Sequence, residues 1–330
     1  MAFADTNFNG LTLTILGCGT MGIAITSGIM SHLEERIPGQ ISHAPSGTST
    51  PMEEYPQRLP AKFIACVRRE SSAKRIRQSL GHHNIPLSVY VNDNVKAVEE
   101  GDVVLLGCKP QMFREVLGAP GIKDALRGKL LISILAGVTA EQIEQLLYGK
   151  EQPADACRVV RAMPNTASFV RESMTVIATS TPPLSPEWNS LVTWIFSRIG
   201  RVVHLPPSAM DASTALCGSG PAFMALVLEA LADGGVAMGL PRAEAQLMAA
   251  QVMRGTASLV TNGEHPAILR DKVSTPGGCT IGGLLVLEEG RTRGTVARAV
   301  REATVVASQL GKGVVGVNGT RFLERGGMSD

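Results

Sequence analysis

Up to about residue 208, short apolar runs alternate with segments whose apolar residues recur at helical spacing; beyond it the runs stop and helical spacing takes over. The runs predict strands at 11–16, 63–67, 89–91, 102–107, 130–135, 158–161, 173–178 and 201–204, with a helix over 191–199 between the last two. Several end in small or polar residues before a helical pattern, as after residue 16, where Ile23, Ala24, Ile25, Ile29 and Met30 follow. That is the signature of a doubly wound α/β sheet, whose ligands sit beyond the strand C-termini. Residues 36–60, rich in proline, glycine and small polar residues, read as a mobile surface insertion without a catalytic role.

The second part reads as all-helical. Ser219 stands near a helix cap and Pro221 near the first helical position. The helix beyond carries Phe223, Met224, Leu226, Val227, Leu228 and Leu231 on nearly every side, which demands burial in a core or against a second subunit. Leu247, Ala250, Met253, Ala257 and Val260 form one stripe over 242–260; Val296, Ala299, Val300, Ala303 and Leu310 mark a last long helix. So little independent core implies dimerisation through this half. The expected division is 1–208, a dinucleotide-binding domain, and 209–330, an all-helical substrate and dimerisation domain.

Composition narrows the function classes. Charged residues are 18% and apolar residues 44% of the 330, which points to much buried surface. A net charge of +2 gives no argument for a nucleic-acid or membrane partner. The six cysteines lie far apart without metal-ligand spacing, so free thiols in a reducing compartment and no metal site are expected. No uninterrupted apolar run nears the roughly 20 residues of a membrane span, and the first residues lack a signal-peptide pattern. A soluble, cytoplasmic protein is expected.

Two stretches carry candidate chemistry. Gly17-Cys18-Gly19-Thr20-Met21-Gly22 follows the first strand directly and opens a helix: the first glycine serves the turn, the second the approach of a pyrophosphate, the third close helix packing. Arg68 and Arg69 end the second strand where NAD-binding folds place an acid for the ribose, so they suit a 2′-phosphate unless they only solvate a helix start. NADPH is therefore expected over NADH, with NADH left open. Asn94, Lys109 and Ala136 end later strands and point toward the cofactor, although Lys109 could be a surface lysine; Pro110 after it suits a first helical position. The second stretch is Ser274-Thr275-Pro276-Gly277-Gly278-Cys279-Thr280, a tight turn leading into a helix near Thr280. Its N–H groups could converge on a small anion, or it could be a linker with Thr280 as an N-cap.

The chain resembles the pyrroline-5-carboxylate reductases, through GCGTMG, Gly218-Ser219-Gly220-Pro221, the segment from Ala232 through Gly239-Leu240-Pro241, and above all VSTPGGCT followed by Gly283, Leu284, Leu287 and Glu288. The resemblance implies an NADP-binding Rossmann domain, a helical dimerising domain, and frequently dimers assembled into a decamer. It implies that Gly17, Gly19, Thr20, Met21 and Gly22 form the dinucleotide loop. Asn94, Lys109, Pro110 and Ala136, with Gly137 beside it, would line the nicotinamide nucleotide. Ser274, Thr275, Gly277, Gly278 and Cys279 would hold the substrate carboxylate, and Thr280 would stand beside the imine nitrogen as the catalytic residue. Lys272 departs from the asparagine of some members.

The implied reaction, hydride transfer to a protonated cyclic imine giving proline, requires no strong base, and the loop contains none. A hydroxyacid dehydrogenase would need a helical lysine, and from 209 onward only Lys272 and Lys312 exist. A nucleotide-binding regulator without catalysis would not need Thr280 or Gly277-Gly278.

Overall fold

The structure is a computed structural model and describes residues 10–35, 55–312, 314, 316, 317, 319 and 320. Strands β1 (Leu11–Leu16), β2 (Pro60–Val67), β3 (Leu87–Val91), β4 (Val103–Leu106), β5 (Leu130–Ser133), β6 (Arg158–Met163), β7 (Ser173–Ala178) and β8 (Gly200–Leu205) form one sheet, in the order β3-β2-β1-β4-β5-β6-β7-β8. Neighbours run parallel except β6 and β7, which are antiparallel. The strand order reverses between β1 and β4, which makes the carboxyl ends of those two strands the ligand crevice of a doubly wound sheet.

The helices of this part are α1 (Thr20–Glu34), α2 (Glu70–Leu80), α3 (Asn94–Glu99), α4 (Phe113–Leu117), α5 (Ile122–Ala125), α6 (Ala140–Tyr148) and α7 (Pro186–Ser197). One sheet face packs Leu13, Ile15, Phe63 and Leu105 against Ile25, Ile76 and Trp194 of α1, α2 and α7. The other packs Leu16, Ile64, Val104 and Leu131 against Val98, Phe113 and Ile143 of α3, α4 and α6. Cover on both faces is why β4 and β5 read as unbroken apolar runs rather than alternating ones. The expected strands are all present with shifted ends. β2 starts at Pro60, because Pro60 pairs with Leu11, so the expected insertion ends in a strand; residues 36–54 of it lie outside the described residues.

The helical half contains α8 (Met210–Ser213), a π-helical turn Thr214–Gly218, then α9 (Gly220–Ala237), α10 (Arg242–Thr261), α11 (Pro266–Val273), α12 (Cys279–Glu289) and α13 (Thr292–Gly311). α9 packs on α10 through the small residues Ala232, Ala245 and Ala249. Within the single chain Ala245 and Ala249 of α10 face inward, while Leu247, Ala250 and Ala257 of the expected stripe are exposed. Leu226 of α9 and Leu247 of α10 are 68% and 70% exposed, and Leu285, Val286 and Leu287 of α12 are also open. Fully burying one such side chain is worth about 1.5–3 kcal/mol, so the single chain leaves most of this gain unrealised. The core alternative for α9 is thereby excluded within one chain. By length and composition the run Pro207–Ala237 meets the test for a membrane span, which the absence of an uninterrupted apolar run did not reveal.

Candidate active site

The glycines after β1 behave differently from one another. Gly17 takes φ +73°, and a Cβ there would lie 2.6 Å from Cys108 Cα, so the loops leaving β1 and β4 touch through bare backbone. Gly19 is the N-cap of α1 without a side-chain cap, and a Cβ on it would meet only Gly17 O at 3.9 Å. Gly22 is buried: a Cβ there would sit 3.1 Å from Ile15 Cγ2. Turn, open approach and close packing are thus assigned to the three positions in that order. The uncapped N-terminus of α1, with free space over Gly19, fits a dinucleotide pyrophosphate. Thr20 is exposed and Met21 half-buried beside it.

Around this loop the other strand ends converge. Arg68 and Arg69 follow β2, exposed and without an ion pair among the described residues, and Arg69 is the N-cap of α2. Asn94 opens α3, and its Oδ1 accepts from the Cys66 thiol at 2.9 Å. Burial pushes that thiol up, so it keeps its proton. Lys109 precedes a 3₁₀ turn in which Pro110 is the first residue, as expected from the sequence. Ala136 is exposed at the exit of β5, and Gly137, at φ +73°, is buried against Gly311 of α13.

The second stretch forms a type II turn: Gly278 N–H donates to Thr275 O at 3.1 Å, with Pro276 and Gly277 (φ +70°) at the central positions. Ser274 is the C-cap of α11, its hydroxyl donating to Arg270 O at 2.8 Å. Gly278 is the N-cap of α12, and Thr280 is the second helical residue. Thr280 is therefore not an N-cap, and its hydroxyl has no hydrogen-bond partner among the described residues. The first N–H groups of α12 lack a side-chain cap and remain available to an anion. Cys279 is exposed; all six cysteines are free.

Charged groups near this turn are committed elsewhere. Arg270 pairs with Asp271 at 2.9 Å, Lys272 with Glu264 at 2.7 Å and Glu288 with Arg293 at 2.6 Å. Lys272, whose role the sequence left open, therefore ties α11 to the loop before it. Among the described residues no hydrogen bond or ion pair joins 274–280 to the sheet.

Three residues escaped the sequence reading. Asn165 after β6 is buried, and its Nδ2 donates to Cys217 O in the π turn at 3.0 Å. Gln142 bridges α6 to the end of α13; the Thr139-x-x-Gln142 spacing, a capping box, was its readable signal. Arg161 on β6 is buried with Nε and Nη2 unpartnered, and burial pulls its guanidinium pKa down, opposed by Asp211 and Glu141. Buried positions in strand runs gave no signal for Arg161 and Asn165.

Comparison with known proteins decides what this arrangement serves. Residues 207–310 match the family model for pyrroline-5-carboxylate reductase dimerisation, and residues 12–137 match NADP oxidoreductase, coenzyme F420-dependent. A pyrroline-5-carboxylate reductase of Lophium arboricola is 66% identical over 316 residues, covering 94% of this chain and 97% of its own. The chain belongs to the pyrroline-5-carboxylate reductase family. The reductase of Schizosaccharomyces pombe is 43% identical over 298 residues, covering 90% of this chain and 98% of the relative. A crystal structure of Plasmodium falciparum pyrroline carboxylate reductase with NADP bound superposes with a TM-score of 0.71 at 26% identity, covering 92% of this chain and 99% of that one. The protein is thus an NADP-dependent oxidoreductase with a Rossmann-type sheet, and its helical half is a homo-oligomerisation domain. That domain includes the apolar run Pro207–Ala237.

Proposed function

We propose that the protein reduces 1-pyrroline-5-carboxylate to L-proline, the last step of proline biosynthesis, at a site built from the sheet's carboxyl edge and the turn before α12. The observation that carries the turn's role is the pairing of an uncapped helix N-terminus with a Thr280 hydroxyl unpartnered among the described residues, while Arg270, Asp271 and Lys272 before it are already in ion pairs. NADPH supplies the hydride. Gly17, Gly19, Thr20, Met21 and Gly22 hold its pyrophosphate, and Arg68 and Arg69 its 2′-phosphate. Asn94, Lys109, Pro110, Ala136 and Gly137 line the nicotinamide side. The N–H groups of Gly278, Cys279 and Thr280 bind the substrate carboxylate within the turn formed by Ser274, Thr275 and Gly277. Thr280 Oγ1 accepts from the protonated ring nitrogen and fixes the face presented to the hydride. The product amine retains that proton, so no residue has to remove one.

The exposed apolar faces of α9, α10 and α12 favour association with a second copy. We place the boundary of the two domains at residue 208, between β8 and α8, and read the assembly as dimers gathered into a decamer. The working compartment is the cytoplasm, with neither nucleic acid nor membrane as partner; the net charge of +2 supports this. The test is oxidation of NADPH by purified protein with pyrroline-5-carboxylate. Turnover is expected; turnover with a 2-hydroxy or 3-hydroxy acid instead would overturn the reading.

A further inference from the structure

The loop that leaves β5 is held from the opposite side by the last helix of the oligomerisation domain. Gly137 and Gly311 touch through bare backbone: a Cβ on Gly137 would lie 3.1 Å from Gly311 N, and one on Gly311 would lie 2.7 Å from Gly137 O. Beside this contact Gln142 engages both partners at once. Its Oε1 accepts from Thr139 N–H at 2.9 Å, its backbone N–H donates to Thr139 Oγ1 at 3.2 Å, and its Nε2 donates to Gly311 O at 2.9 Å. The carbonyl of Gly311 is one of the terminal acceptors that a helix leaves unpaired, so a side-chain amide is a favourable partner for it. One side chain therefore connects the nicotinamide-side loop with the last turn of α13, a helix that also packs on α8 and the π turn.

We propose that Gln142 is a positioning residue for hydride transfer: it fixes the 136–139 loop against the end of α13, and thereby holds the loop beside which the nicotinamide is proposed to lie. The inference rests on the proposed placement of the nicotinamide beside Ala136 and Gly137. A capping box alone needs only an acceptor at position 142, which glutamate supplies equally well. The donor to Gly311 is what glutamine adds. Loss of it leaves the fold capped but lets the loop shift, and a displacement near 1 Å of reacting groups costs about a hundredfold in rate; a loosened rather than displaced loop costs less.

Two substitutions separate latch from cap. Gln142→Glu keeps the acceptor for Thr139 N–H and sets a carboxylate against the Gly311 carbonyl; Thr139→Val removes the cap hydroxyl and keeps the latch. For Gln142→Glu, kcat is expected to fall about tenfold, within the positioning range, with the KM for NADPH little changed, the dimer intact and a larger deuterium isotope effect from deuterated NADPH. For Thr139→Val the melting temperature is expected to fall while kcat stays near that of the unsubstituted protein. Wild-type kcat in Gln142→Glu, or a loss that follows melting temperature equally in both variants, overturns the latch. Failure of the unsubstituted protein to turn over the imine is a different result and overturns the functional reading instead.

Discussion

The thiol of Cys66, at the end of β2, donates to Oδ1 of Asn94, at the start of α3, across 2.9 Å. With Oδ1 accepting from the thiol, the Asn94 amide is held in one orientation and its N–H groups are left for another partner. Replacing Cys66 with alanine removes that constraint from a half-buried side chain. Cys66→Ala is expected to raise the KM for NADPH about three- to tenfold, the worth of one modest hydrogen bond, while Cys66→Ser keeps a donor and stays near the original value. Steady-state kinetics with varied NADPH checks this, and an unchanged KM in Cys66→Ala would show that the thiol only fills space.

The dinucleotide loop offers two alanine substitutions with opposite signatures. Gly17→Ala forces a Cβ to within 2.6 Å of Cys108 at positive φ, and is expected to cost about 1–3 kcal/mol of stability. Gly19→Ala meets nothing closer than 3.9 Å in the chain, so the melting temperature should hold while NADPH binding weakens at least about tenfold, because the methyl takes the space left for a phosphate. Thermal melts and NADPH titration of both proteins separate the effects. Equal stability loss in both would remove the phosphate space over Gly19.

How much of this was legible before the structure follows from what kind of signal each residue carries. Strands buried on both faces announce themselves as apolar runs, and Gly17, Gly19 and Gly22 as a spacing, so the sheet and its crevice were readable. The inward face of α10 was not: Ala245 and Ala249 pack inside the chain, whereas Leu247, the more hydrophobic residue, is exposed. Hydrophobicity tells that a face is buried but not in which chain. Asn165 and Gln142 act through single hydrogen bonds to backbone carbonyls distant in sequence, Cys217 and Gly311, and such pairings have no periodicity to read.

The basic pair after β2 should distinguish the two nicotinamide cofactors. Exposed guanidinium groups without an ion pair among the described residues suit a 2′-phosphate. Arg68→Ala combined with Arg69→Ala is expected to raise the KM for NADPH about tenfold or more, as loss of charge-assisted hydrogen bonds requires, and to leave the KM for NADH unchanged. Parallel kinetics with both cofactors decide it; an unaltered preference would return the pair to the role of a solvated helix start.

The exposed α9–α10 face is the proposed surface of association. Leu226→Glu and Leu247→Glu each place a carboxylate where the proposed interface buries an apolar side chain. Dimer affinity should fall at least about a hundredfold for either change, and turnover should fall with it if the sheet's carboxyl edge and the turn before α12 meet across subunits. Sedimentation equilibrium alongside activity over a range of protein concentrations gives both readouts. Two variants that stay associated would move the interface off this face.

Thr280 is the residue on which the proposed chemistry turns. Gly278 is the N-cap of α12, so the threonine hydroxyl, one turn position inside, satisfies no helix N–H. Alanine is the better helix former by a few tenths of a kcal/mol, and Thr280→Ala should fold at least as stably as the original chain. A stabilised or unchanged melting temperature then makes any kinetic loss a statement about the reaction. A hydroxyl that holds the ring nitrogen contributes mostly as charge redistributes toward the transition state, where one well-placed group is worth roughly a hundredfold or more in kcat. The expected pattern is a large fall in kcat, NADPH binding within about twofold because no cofactor contact is lost, and partial recovery in Thr280→Ser. Comparable losses in turnover and NADPH affinity, or a lowered melting temperature, would instead assign Thr280 to holding α12 in place.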